Sequence, residues 1–385
     1  MLRDATGSHR TFQDLGRAPV PSKHSASGDR QDEYPWFDWL RFALASVVVL
    51  DHSGASAFFP FLNGTLAVKV FFALSGWLIG GILLRSGKQD LPRFFFNRAT
   101  RIWIPYALAI LLIYGLAAAR EGIDFFWVKY LVLDVTFTHQ LYTFFPQAFF
   151  ELPLDGSGNQ FWSISVEEQF YLLAPIIILF LPFGRSVLSW GVLAPMLVAL
   201  DWHAGSVALG VCAAILQHDH AIASRPWVRV LALVAAVTCA ALMSVTASQY
   251  VVGPLFALSV VVATAIPGKR SPVALIAGGL SYPLYLNHWI GEFAVNFVTK
   301  RWLPVEKPVH IAAVYTVAVL IALGLYWVVD RQVQVRRNRW YRPALGRRLA
   351  ILAYLLVGIG LIAGAALHYF GPHAVVPAGY GPPYQ

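Results

Sequence analysis

Residues 64–84, GTLAVKVFFALSGWLIGGILL, decide the fold, because only Lys69 in the whole stretch carries a charge. Wound as a helix at 1.5 Å per residue, the segment is ~31 Å long, about the thickness of a bilayer's hydrocarbon core. Working outward, further apolar runs fall at roughly 38–59, 102–119, 162–183, 187–201, 204–217, 228–246, 250–266, 273–295, 309–329 and 349–369. Of 385 residues, 57% are apolar and 13% charged, against ~25% charged in ordinary globular domains. This balance excludes a water-soluble domain, and excludes disorder except at the ends. The expected fold is an all-α integral membrane protein with about 10–11 transmembrane helices. Residues 1–36 are expected to be a flexible cytoplasmic tail, 37–370 the membrane domain, and 371–385 a short extracytoplasmic tail. Segment 125–138 is apolar but short and holds Lys129 and Asp134, which suits an interfacial or re-entrant helix.

The net charge of +9 could suggest nucleic acid, but its placement points to topology. Twenty-two of the 29 Lys and Arg residues fall in the N-terminal tail and in alternate loops: 85–101, around Arg185, 225–229, 269–270 and 331–348. The opposite loops hold only Arg120, Lys129, Lys300, Arg301 and Lys307. The asymmetry predicts eleven spans in a cell's inner membrane, N-terminus cytoplasmic and C-terminus extracytoplasmic. The two cysteines, Cys212 and Cys239, lie in apolar stretches, so neither a disulfide framework nor a metal site is expected.

Charges inside spans are costly and point to function. Arg41, Asp51, His52, Lys69, Glu167, Glu168, His288 and Glu292 are such residues. On the predicted topology His52, Glu167 and His288 lie toward the outer ends of three spans, at one level. Proton chemistry facing outward needs such an arrangement. Arg41 precedes His52 by eleven residues, so it lies ~16 Å nearer the cytoplasm on the same helix face. An isolated intramembrane histidine can be a packing residue; Arg41 and Glu167 weigh toward function. Arg41 itself can also snorkel to the inner interface. Glu167 and Glu168 point ~100° apart, so one faces the site and the other is free to cap a helix. Asp51 either orients His52 or sits near water, and Lys69 is placed to snorkel outward. Arg98 and Arg101, three apart in RFFFNRATR, are either topology anchors or a phosphate clamp, since guanidinium forks match phosphate oxygens. The aromatic loop 139–161 is either an acceptor platform or an interfacial belt.

Five blocks in order resemble the membrane acyltransferase-3 family: FDWLRFALASVVVLDH, with its Arg-ten residues-His pattern at Arg41 and His52; AVKVFFALSGWLIGGILL, with Phe71, Phe72, Ser75 and Gly76; RFFFNRATRIWIPY; FWSISVEEQFYLLAPIII; and SYPLYLNHW. Lys69 stands where the family often has an acidic residue, Trp77 where it has Phe or Tyr, and Gln160 and Phe161 where a His often occurs. The resemblance implies acyl-CoA, acetyl-CoA above all, as donor, and a hydroxyl of an extracytoplasmic or lipid-linked glycan as acceptor. It makes His52, Glu167 and His288 catalytic candidates and Arg41, Arg98 and Arg101 donor-binding candidates. Asp51, Glu168, Ser75, Trp162, Ser163 and Tyr285 become supporting residues. Some members carry a C-terminal hydrolase-like domain, which is not expected here. The expected partners are the bilayer, the donor and the acceptor, with no nucleic acid and no metal. The competing class is a proton-coupled transporter or flippase using Arg41, His52 and Glu167 without covalent chemistry; repeated broken helices would mark it.

Overall fold

The structure, a computed structural model, describes residues 34–376 apart from 144, 146, 201, 202, 247 and 248. The expected N-terminal tail lies almost wholly, and the C-terminal tail mostly, outside these residues. In chain order the helices are α1 (Pro35–His52), α2 (Gly64–Leu84), α3 (Leu91–Glu121), α4 (Phe125–Val135), the single turns α5 (Ala148–Glu151) and α6 (Pro153–Gly156), α7 (Phe161–Phe180), α8 (Val187–Ala199), α9 (Ala204–His220), α10 (Pro226–Thr246), α11 (Gln249–Thr264), α12 (Pro272–Arg301), α13 (Lys307–Leu325), α14 (Arg331–Trp340) and α15 (Pro343–Tyr369). A π-helical turn, Tyr326–Asp330, joins α13 to α14. No strand occurs among the described residues.

Among the described residues, six helical stretches are long and apolar enough to cross a membrane: Gly64–Leu84, Lys88–Glu121, Phe161–Phe180, Pro226–Val245, Lys307–Trp340 and Pro343–Tyr369. Val187–Ala199 and Gln249–Thr264 are apolar but shorter. The bilayer explains what water would not: α10 leaves Leu231, Leu233, Val234 and Val237 exposed, a continuous apolar surface with no aqueous rationale. At 11 residues, α4 is ~16 Å long and too short to span.

Helices that are distant in sequence pack in parallel. The Gly76 and Gly80 positions of α2 meet Val207, Val211 and Ala214 of α9, rising together. A Cβ at Gly76 would lie 2.1 Å from the Val207 carbonyl oxygen, and one at Gly210 would lie 2.0 Å from that of Ala73. Only glycine allows such close approach, which substitutes van der Waals contact for the hydrophobic effect that lipid cannot supply. In the same way α1 runs beside α12, with Asp38 at Gly278 and His52 at His288. Likewise α3 runs beside α15, with Pro92 at Gly346 and Phe95 at Tyr354.

The first span ends earlier than 59. Helix α1 stops at His52, and Gly54 follows in the left-handed region at φ 88°. His52 is therefore the last helical residue, with its ring at the helix mouth. The 139–161 segment is partly folded back into the protein among its described residues. His139, Gln140, Glu151 and Leu154 are buried in it, and Phe145 and Phe149 stay exposed.

Candidate active site

His52 and His288, 236 positions apart, meet: His52 Nδ1 lies 2.8 Å from His288 Nε2. Their partners fix the protons. His288 Nδ1 lies 2.8 Å from the Tyr285 carbonyl oxygen, which can only accept, so this nitrogen carries a hydrogen. In the neutral ring Nε2 then holds a lone pair and accepts from His52 Nδ1–H. That leaves His52 Nε2 with a free lone pair, without a side-chain hydrogen bond among the described residues. The His52 ring stacks on Trp289 at 5.2 Å, which holds its plane. Tyr285 is held in turn. Its hydroxyl donates to the Gln160 carbonyl oxygen at 3.0 Å and lies 2.7 Å from Ser163 Oγ. The chain Ser163–Tyr285–His288–His52 thus ties α7 to α12 to α1.

At the other end of α1, Arg41 Nη1 pairs with Asp38 Oδ1 at 3.2 Å, and Arg270 Nε lies 3.1 Å from Asp38 Oδ2. Arg98, Arg101 and Arg270 all lie within electrostatic range of Arg41. The three predicted donor-binding arginines therefore converge from two helices. The guanidinium of Arg98 sits over the rings of Tyr171 and Phe94, at 5.6 and 5.9 Å, and its Nε is buried without a partner. Among the described residues neither Arg98 nor Arg101 forms an ion pair with a carboxylate. The cluster can therefore accept an anion.

Glu167 is not at the level of the histidines. Its carboxylate accepts from Ser75 Oγ at 2.6 Å and from the Tyr171 hydroxyl at 2.9 Å, and it acts electrostatically on Arg98. The shift has a structural cause. The residue before α7, Gln160, already donates to the Leu286 carbonyl oxygen, beside His288. Helix α7 thus starts at histidine depth, and seven residues later Glu167 is ~10 Å deeper. In α2, Ser75 stands opposite the early part of α1, because Trp77 packs on Phe37 while Gly64 meets Asp51. Glu167 therefore shares a level with Arg41.

Glu168 does not cap a helix. It is buried and accepts from the Trp103 indole at 3.1 Å. Among the described residues Asp51 makes no hydrogen bond to His52, though its charge acts on that ring; it accepts from the Gly64 backbone N–H at 2.8 Å, at the start of α2. Lys69 does not snorkel: it is buried and donates to the Gln249 carbonyl oxygen at 2.9 Å, its stem beside Gly253. Trp162 packs against Phe72 and His203. Asp38, Arg270 and His203 escaped the sequence reading. For Asp38 a signal existed, since it precedes Arg41 by three residues, the spacing of a helical ion pair. Among the described residues, no cluster of three or more His, Cys, Asp or Glu side chains is arranged to hold a metal.

Fold and site together define a multi-pass membrane protein with a histidine pair at one end of a helix pair and a basic cluster at the other. The chain belongs to the acyltransferase-3 family, whose acyltransferase domain matches residues 34–327. It is similar to a protein of Staphylococcus aureus strain COL provisionally named an O-acetyltransferase, with 21% identity over 405 residues, covering 88% of this chain. The chain spans 64% of the length of that relative. It is also similar to O-acetyltransferase OatA of S. aureus strain NCTC 8325, with 31% identity over 159 residues, 38% of this chain and 25% of OatA. No solved structure matches the chain.

Proposed function

We propose that the chain is an O-acetyltransferase of the cytoplasmic membrane. It takes an acetyl group from cytoplasmic acetyl-CoA and gives it to a hydroxyl of an extracytoplasmic or lipid-linked glycan. Its eleven crossings are α1, α2, α3, α7, α8, α9, α10, α11, α12, α13 and α15, with the N-terminus inside and the C-terminus outside. The parallel pairs support this count: α1 and α12 are the first and ninth crossings, α2 and α9 the second and sixth, α3 and α15 the third and eleventh. Helices separated by an even number of steps point the same way.

The observation that carries the reading is the histidine relay, one helix length from the basic cluster. Arg41, Arg98 and Arg101 hold the donor's phosphates on the inside, and the pantetheine arm, ~15–20 Å when extended, brings the thioester to His52. His52 Nε2 takes the proton of the acceptor hydroxyl as that oxygen attacks the thioester carbonyl. The C–S bond breaks, the ester forms, and the imidazolium returns its proton to the departing CoA thiolate. His288 does not touch substrate in this scheme. It keeps the His52 lone pair pointed at the hydroxyl and spreads the developing positive charge through the Nδ1–H bond.

The test is His52→Ala, scored by mass spectrometry of envelope glycans from cells carrying either form. Loss of O-acetyl groups with normal membrane insertion is expected; full acetylation would overturn the assignment. Single-turnover mixing with labelled acetyl-CoA and no acceptor checks direct transfer: label that accumulates on the protein and is chased by acceptor would instead establish an acyl-histidine intermediate.

A further inference from the structure

A cleft opens beside the basic cluster where α3, α12 and α14 meet the π turn. It is partly open to solvent and is walled by Arg101, Arg337, Gln334, Asp330, Tyr282 and Gly278. Three features set it apart from a packing gap. Arg101 and Arg337 face it from different helices, within electrostatic range of one another, and neither forms an ion pair among the described residues. Asp330 is 7% exposed, and its Oδ2 is buried without any hydrogen-bond partner. It lies within electrostatic range of Arg101 but is not paired to it. A buried carboxylate oxygen with no donor is costly, and Arg101 lies within electrostatic range yet leaves it unpaired, with Arg337 on the same cleft wall. The widened π turn, a geometry common at functional sites, delivers Asp330 to that wall. Helix α14 is anchored there by Arg93, which donates to Asn338 and covers the Tyr341 ring.

A ligand that satisfies the cleft must present an anion and, beside it, a hydrogen-bond donor. A ribose bearing a 3′-phosphate and a free 2′-hydroxyl does so on adjacent carbons. We infer that the cleft binds the 3′-phosphorylated ribose of the acyl-CoA donor, with the phosphate between Arg337 and Arg101 and the 2′-hydroxyl donating to Asp330 Oδ2. This rests on the acyl-CoA reading above. The reach is compatible: Gly278 lines the cleft, and His288 lies ten residues further along α12, ~15 Å, within what the 5′-diphosphate and pantetheine arm together bridge.

The test compares acetyl-CoA with acetyl-3′-dephospho-CoA as donors for the purified full-length protein. For the wild type, KM for acetyl-CoA should be at least about tenfold lower, the worth of a charge-assisted phosphate contact. In Arg337→Gln the ratio of the two KM values should fall toward one. An acetyl-CoA analogue lacking the 2′-hydroxyl should bind the wild type more weakly, and Asp330→Ala should lose that discrimination. Equal use of the two donors by the wild type would overturn the inference and leave the acyltransferase reading standing, and this arm needs no variant to fold. If the wild type consumes neither thioester while envelope acetylation still depends on His52, the acyl-CoA reading itself falls.

Discussion

The relay makes His288→Leu the most informative substitution. Leucine fills the volume of the ring but removes the acceptor 2.8 Å from His52 Nδ1. Losing that bond leaves the His52 Nδ1–H, which faced the buried His288 ring, without its acceptor, at a cost of about 1–3 kcal/mol. The cost falls on the tautomer that keeps Nε2 free, and on the imidazolium formed as the acceptor proton moves. At 1.36 kcal/mol per tenfold, kcat should drop by about 5- to 150-fold. His52→Ala removes the base itself and should cost about 10²- to 10⁴-fold. The donor KM should stay near wild type in His288→Leu, because the basic cluster is ~15 Å away. His288→Gln, whose amide oxygen can still accept from Nδ1, should recover part of the loss. The assay is release of the CoA thiol by proteoliposomes supplied with acetyl-CoA and envelope glycan, with detergent-extracted protein checked for a monodisperse peak. A His288→Leu protein that keeps kcat within twofold of wild type, beside an inactive His52→Ala, would refute the relay.

Three other outcomes follow from the geometry. Arg101→Ala should raise the donor KM about tenfold and flatten its dependence on ionic strength, as read from initial rates between low and high salt; a KM that is unchanged would remove Arg101 from the donor site. Gly210→Val should force α2 and α9 apart, since even a Cβ there meets the Ala73 carbonyl at 2.0 Å; a loss of about 1–3 kcal/mol, seen as a lower midpoint of thermal aggregation in detergent, is expected. Glu151 is buried outside the spans and accepts from Lys129 and the Tyr130 hydroxyl. Burial pushes its carboxyl up, but the Lys129 bond and charge outweigh it and hold the group below its ordinary range. A depressed folded pKa gives stability that is present above ~4.3 and lost as pH falls through the folded value. Glu151→Gln should therefore be about 3–5 kcal/mol less stable at pH 7, and the gap to wild type should close below about pH 4 in thermal melts; a gap independent of pH would contradict the ion pair.

The membrane class was legible from apolar length alone, because a ~30 Å hydrocarbon slab imposes one strong constraint on helices. The meeting of His52 with His288 was legible only as a shared depth; the contact depends on α1 and α12 packing side by side, which no local pattern encodes. Depth itself failed for Glu167. Counting residues from the start of a span assumes that the span starts at the membrane surface, and α7 starts with Gln160 already against Leu286. The buried pairs Asp134 with His139 and Lys129 with Glu151 were hidden for a related reason. Their partners come from the 139–161 segment, whose folding back is tertiary. Asp330 was invisible because its meaning lies in a missing partner, which only packing reveals.

The corrected depth of Glu167 changes its chemistry. At the level of Arg41 it is too far from the proposed acceptor hydroxyl to share the proton with His52, and its oxygens accept hydrogen bonds from Ser75 and Tyr171 instead. Its electrostatic partner is Arg98, whose guanidinium lies over the Tyr171 ring. On the proposed reading Glu167 sits on the donor side, where its bond to Tyr171 fixes the face on which Arg98 rests. Glu167→Gln keeps an acceptor for Ser75 and Tyr171 but removes the charge that balances Arg98. Its effect should therefore appear in the donor KM, with kcat at saturating acetyl-CoA within about threefold of wild type. A loss confined to kcat, on the scale of His52→Ala, would put Glu167 back beside the histidines and overturn the depth assigned to α7.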